Sequence, residues 1–240
     1  MHHALAVDRW SRGASPLHAR DARAKLGAAL AFLIAVSTTR PGAHLAFGLY
    51  SVLIVAAAAL ARLPIAALAR RAALVLPFSA TFAAITWWSG DPARALALAE
   101  KSLLCGFAAL LLIATTPVND LLRALDWLAV PRPLILVIQF LYRYLFVISE
   151  QAQHMRLAAQ CRRGHRAQRS RFTARFSSAG GALGVLFARS WERADGIYRA
   201  MLARGFNGHF PRLAPLRFST ADAVFVFLVV SVAIGIRLAV

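Results

Sequence analysis

The sequence predicts an all-α integral membrane protein with about five transmembrane helices and one large basic module on a single side of the bilayer. Three observations carry this. The 240-residue chain is 59% hydrophobic, with a mean hydropathy of +0.59, more apolar than an ordinary soluble domain. Five stretches, Leu26–Thr39, Ala43–Leu60, Ala72–Trp88, Leu96–Thr115 and Ala221–Leu238, approach the roughly 20 apolar residues a helix needs to cross a bilayer core of about 30 Å. Between the last two lies a segment, His154 to Arg217, that carries thirteen arginines against only Glu192 and Asp195.

The elements follow in chain order. Met1–Lys25 is polar and basic with no apolar core, so it does not read as a cleavable signal peptide. The first span is short. A sixth apolar run, Leu134–Ser149, contains Arg143, which costs roughly 3 kcal/mol or more at the bilayer centre. Five spans with an internal amino terminus put 24 of the 28 basic residues inside, leaving Arg40, Arg94, Lys101 and Arg237 outside. Counting Leu134–Ser149 as a span would expose either the basic amino terminus or His154–Arg217, against the positive-inside rule. The run is therefore expected to form an amphipathic or re-entrant helix on the cytoplasmic face. The expected organisation is a cytoplasmic segment 1–25, a four-helix membrane region 26–115, a cytoplasmic helical module 116–217 and a final span 218–240, in a multi-pass protein of the cell membrane.

Within the basic module, two helix-like segments each end in an Arg-Gly pair, Arg163-Gly164 and Arg204-Gly205. Leu141, Leu145, Ile148, Ala152, Met155 and Ala159 recur at helical spacing, with Arg156, Gln160 and Arg163 on another stripe. Glycine is a natural helix terminator, and a cation in the last turn suits the negative end of the helix dipole. The second helix is expected from about Leu183 to Arg204, after a flexible joint at Gly180, Gly181 and Gly184. Gly196 and Ala200, four apart, would let another helix backbone approach closely. Any one of these arginines is most simply a solvated surface charge. Two matched tips instead suggest forked bonds from Arg163 and Arg204 to carboxylates on a partner with two equivalent grooves.

Composition also excludes several chemistries. The formal charge of +18 is almost wholly arginine, with Lys25 and Lys101 the only lysines. Retention of loops inside and attraction to anionic membrane lipid explain that charge, and nucleic-acid binding is not expected. Neither lysine follows a glycine, so a phosphate-binding P-loop is absent and ATP hydrolysis by this chain is not expected. The ten acidic residues form no Asp-x-x-Asp or His-Glu-x-x-His motif. Glu100-Lys101 reads as an interfacial ion pair, and Asp120, Arg123 and Asp126 as a solvated face. Cys105 and Cys161 are too far apart in sequence for a zinc motif or a disulfide framework. The histidines lack ligand spacing, so no metal site is expected in this chain.

These residues carry a resemblance over nearly the whole chain. It resembles the transmembrane T component (EcfT) of energy-coupling factor transporters, and more closely the CbiQ type associated with cobalt uptake. Ala203-Arg204-Gly205 matches that family's Ala-Arg-Gly signature, whereas Arg162-Arg163-Gly164 departs from it at Arg162, where alanine is usual. The segments Asp8-Arg9-Trp10-Ser11, Ser15-Pro16-Leu17-His18, Arg23-Ala24-Lys25-Leu26 and Tyr142-Arg143-Tyr144-Leu145-Phe146-Val147 also look like the cobalt branch. The resemblance implies a non-catalytic subunit of an ECF-type ABC importer. Two cytoplasmic ABC ATPase subunits, which bind ATP and Mg, would engage coupling helices that cross as an X, with Arg163, Gly164, Ala203, Arg204 and Gly205 at the contact. A membrane S component, CbiM/CbiN-like for cobalt or nickel, would capture the substrate; this chain itself would carry no cofactor. The alternatives are the same scaffold serving a vitamin or other small solute, a basic anchor for anionic lipid, and a membrane enzyme.

Overall fold

The computed structural model describes residues 10–11, 13, 15–163, 172–208 and 218–239; the side chains at 65, 75, 162, 163 and 172–179 lie outside that description. Among the described residues there are helices and no strands. In order they are α1 (Ala22–Thr38), α2 (His44–Leu60), α3 (Ile65–Ala72), a 3-10 turn (Ala73–Val75), α4 (Leu76–Trp88), α5 (Pro92–Thr115), α6 (Val118–Trp127), α7 (Arg132–Arg163), α8 (Phe172–Ala203) and α9 (Thr220–Ala239). They fall into two compact units: residues 1–130 with 216–240, holding α1–α6 and α9, and residues 131–215, holding α7 and α8.

Local chemistry sets the helix ends. Asp21 accepts from Arg23 N at 2.8 Å to start α1, and Asp91 accepts from Arg94 N at 3.1 Å ahead of Pro92. Each satisfies an amide that has no partner inside its helix. Ser219 and Asp222 form a reciprocal capping box on α9: Ser219 Oγ accepts from Ala221 N at 3.4 Å, and Asp222 Oδ2 from Ser219 N at 2.9 Å. Several helices close with paired backbone bonds around a left-handed residue. Gly90 (φ 88°) fills that position after α4, but Arg62 (φ 54°) and Ala129 (φ 61°) fill it after α2 and α6. A side chain there costs roughly 1–2 kcal/mol.

The first unit packs small residues inward. Ala28, Ala35, Ala46, Ala97, Ala108 and Ala233 are buried, whereas Ile34, Val52, Phe78, Trp88 and Phe227 face outward. Close helix contact through small residues, with bulky apolar residues outside, is the pattern a lipid solvent selects. Tyr50 anchors the core. It is fully buried, meets Phe32 edge to face at 5.5 Å, and donates its hydroxyl to Ala233 O at 3.1 Å. One aromatic ring thus ties α2 to α1 and α9.

By length and composition, α5, α9 and the Arg132–Cys161 part of α7 could each cross a membrane. The pair Ala66–Ala72 and Leu76–Trp88, bent by 52°, could make a fourth crossing. At 17 residues, α1 and α2 are at the short end of the spanning range. The chain is an all-α, multi-pass membrane protein. Leu134–Ser149 belongs to a single continuous 32-residue helix, which also carries the stripe from Leu141 to Ala159. No proline or glycine interrupts the run after Pro133, so nothing breaks the hydrogen-bond ladder.

Candidate functional site

The second unit ends α8 with a complete glycine cap. Ala203 is the last helical residue, Arg204 follows it, and Gly205 takes φ 76°. Gly205 N donates to Leu202 O at 2.9 Å and Phe206 N to Met201 O at 3.0 Å. Those two bonds satisfy carbonyls left free by the helix end and turn the chain sharply away. An added Cβ on Gly205 would meet nothing within 4 Å among the described residues. Backbone conformation, not space, therefore selects glycine. The consequence for Arg204 is direct: the turn leaves its side chain exposed at the tip, with no carboxylate within ion-pair distance among the described residues. The same end carries the negative pole of the helix dipole, which favours a cation there.

The first motif is only partly described. Arg163 is the last residue of α7, while its side chain and Gly164 lie outside the described residues. Within the second unit, α7 and α8 share a cleft of about 340 Å³. Phe140, Tyr144 and Ile148 line it from α7, and Ala194, Ile197 and Met201 from α8. Among the described residues, the close approach expected at Gly196 and Ala200 is not made. Both are exposed, and a Cβ on Gly196 would meet nothing within 4 Å. Ser190 and Ala194, also four apart, line the cleft instead. The small-residue spacing was read one face away from the helix pairing.

Two ion-pair expectations are also revised or met. Glu100 pairs with His44 at 3.2 Å, and Lys101 donates to Ser37 O at 2.9 Å and Thr39 O at 2.7 Å. Successive side chains on a helix point in different directions, and Lys101 instead meets the free carbonyls at the end of α1. Asp120 and Arg123 form the exposed i, i+3 pair at 3.5 Å. Among the described residues no group of three or more His, Cys, Asp or Glu could hold a metal ion.

A second polar site, at one end of the first unit, escaped the sequence reading. Lys25 is 5% exposed and donates to His18 O at 3.1 Å and Thr115 O at 2.8 Å. Asp222, 4% exposed, accepts from Asp21 N at 3.3 Å and lies 3.9 Å from Arg20. His18 itself bonds to Ser15 Oγ at 2.7 Å and Trp10 O at 2.9 Å, and the Arg71 guanidinium lies 4.3 Å over the Trp10 ring. Lys25 precedes the apolar run that starts at Leu26. Burial lowers its pKa to about 8, opposed by the negative charges of Asp120, Asp21 and Asp222. A signal was present in the sequence. The only two lysines both donate to carbonyls near helix ends, a task that suits a compact ammonium better than a planar fork.

Residues 13–215 match the CbiQ family, described as cobalt transport protein. The chain belongs to that family. Among relatives of this CbiQ-family protein, the cobalt transport protein CbiQ of Rhodobacter capsulatus is 32% identical over 117 residues, 49% of this chain and 46% of that protein. An uncharacterized protein of Methanocaldococcus jannaschii is 30% identical over 107 residues, 44% and 38% of the two chains. A protein of Methanocorpusculum labreanum, whose name describes a fused cobalt transport protein CbiMQ, is 30% identical over 139 residues, 55% and 22% of the two chains. The chain spans less than half the length of each of these relatives. CbiQ membership agrees with the multi-pass membrane architecture of the fold.

Proposed function

We propose that this CbiQ-family chain is the coupling subunit of an ECF-type importer for cobalt or nickel ions. The observation that carries the reading is the tip of α8, where a glycine-capped helix end holds Arg204 exposed and unpaired among the described residues. Its guanidinium offers five donors in a fixed fork, suited to a carboxylate on a cytoplasmic ATPase subunit. Arg163, the last residue of α7, would engage a second ATPase in the same way. ATP-driven closure of the two ATPases would then move α7 and α8, and that movement would reach a membrane component that holds the ion.

Cobalt is favoured by the family description and by the name of the Rhodobacter relative. The fused CbiMQ name joins a CbiM-type membrane component to a CbiQ-type chain, which supports the same kind of partner here. Charge supports the orientation: with the basic amino terminus and the α7–α8 unit inside, 24 of the 28 basic residues are cytoplasmic.

Co-purification tests the reading. Arg204→Glu should weaken ATPase association roughly 30-fold or more by placing like charges together, while membrane insertion is retained. ATPases recovered at normal yield with this variant would refute the assignment. A lipid anchor predicts that charge alone matters, so Arg204→Lys would be silent. A coupling fork predicts measurable loss.

A further inference from the structure

Three of the chain's ten acidic residues, Asp21, Asp120 and Asp222, act on the single buried Lys25. Two of the three are joined directly, since Asp21 N donates to Asp222 Oδ1 at 3.3 Å. ATPase docking at Arg204 makes no use of this cluster.

The cluster sits where α5 ends and α6 begins. Lys25 Nζ takes the carbonyl of Thr115, the last residue of α5, and that of His18 in the amino-terminal segment. Asp222, in the first turn of α9, holds the amino-terminal segment through Asp21 N. On the other side of the corner, Ala124 of α6 is buried with Ala22 and Leu26 of α1, and Leu121 and Leu125 pack against them. The first turns of α1 therefore grip both arms of the α5–α6 corner, one by a charged hydrogen bond and one by apolar contact. Thr116 does not share the polar work, for its Oγ1 is buried with no hydrogen-bond partner among the described residues. Beyond α6 the chain passes through Ala129 and Val130 directly into the α7–α8 unit at Pro131.

We propose that Lys25 is a positioning residue for coupling, whose ammonium pins the α5–α6 corner so that movement of the α7–α8 unit is delivered to the membrane bundle. This rests on the coupling reading above. A force applied through Val130 acts first on α6. If the corner were free to swing, α6 would yield and the bundle would stay still. With the corner pinned to α1, and α1 tied to α9 through Asp21 and Asp222, α6 and the bundle move as one body. Lysine fits this task because two carbonyls converge on one small donor group in a space open to solvent by only 5%; a guanidinium fork is larger and planar.

The test uses the full chain assembled with its ATPases and membrane partner in proteoliposomes, with cobalt(II) as the transported probe. Lys25→Met should keep ATPase co-purification and hold ATP hydrolysis within about twofold, while cobalt taken up per ATP falls about tenfold. Lys25→Arg should restore little of it. Rescue separates positioning from mere stability. With Cys105→Ser and Cys161→Ser as background, Ala22→Cys and Ala124→Cys, which lie in one buried cluster, closed to a disulfide as the zero-length cross-link should restore uptake to the Lys25→Met chain. The same cross-link should leave the Lys25 chain unimpaired. Normal uptake per ATP in Lys25→Met would overturn the proposal, and so would a loss that the cross-link does not repair. Failure of the unsubstituted chain to retain ATPases would instead overturn the coupling reading itself.

Discussion

At one end of the first unit, Lys25 is almost wholly buried and donates to two main-chain carbonyls, while three carboxylates act on its charge. At the tip of α8, Arg204 is exposed and finds no carboxylate among the described residues. The two cations follow opposite rules. The first is desolvated, with carboxylates in the chain offsetting only part of that cost, and its two carbonyl bonds hold separate segments together. The second is presented to solvent on a rigid cap, so any carboxylate that pairs with it must lie outside the described residues. Among 28 basic residues, the two lysines serve carbonyls near helix ends, whereas arginine supplies the basic module.

Substitutions can break or sharpen that contrast. The largest effect on stability is expected at Lys25→Met, which leaves the buried Thr115 carbonyl without its donor and should cost about 1–3 kcal/mol, read as a lower melting temperature in detergent. Arg204→Ala should leave melting unchanged within about 0.5 kcal/mol. Equal effects at the two sites would erase the distinction. Gly205→Ala should come next, costing roughly 1–2 kcal/mol because alanine must hold φ 76°. Its signature is faster amide exchange confined to the last turn of α8. The mirror experiment is Ala129→Gly, which relieves a left-handed alanine after α6 and should raise stability by about 1 kcal/mol.

Titration of Lys25 gives a further check with a defined sign. Its folded pKa of about 8 lies below the ordinary value of 10.5, so the folded chain releases the proton first. Stability should therefore rise as pH goes from about 8 towards 10.5, and Lys25→Met should remove that rise. A flat profile in the unsubstituted chain would contradict the burial that defines the site.

The fold class and the α8 tip were legible in the sequence because each rests on local information. Apolar length marks the membrane helices, and a glycine after an arginine marks a left-handed cap. The continuity of α7 was legible too, because the stripe from Leu141 to Ala159 keeps helical spacing and the exposed Arg143 does not break backbone hydrogen bonding. The helix-pairing face was less legible: Gly196–Ala200 and Ser190–Ala194 have the same spacing, and only the bulk of Ile197 and Met201 beside Ala194 distinguishes the face that meets α7. The Lys25 cluster was out of reach because it joins residues as far apart as Asp21 and Asp222. Nothing in the spacing of either segment points to the other. Their trace was the choice of lysine in a chain that otherwise uses arginine.

The most direct measurement is ATPase binding by the detergent-solubilised chain with Arg204 unchanged, replaced by lysine and replaced by glutamate. A docking fork predicts a graded loss, partial with lysine and nearly complete with glutamate, at unaltered melting temperature. Equal ATPase recovery from all three chains would contradict it.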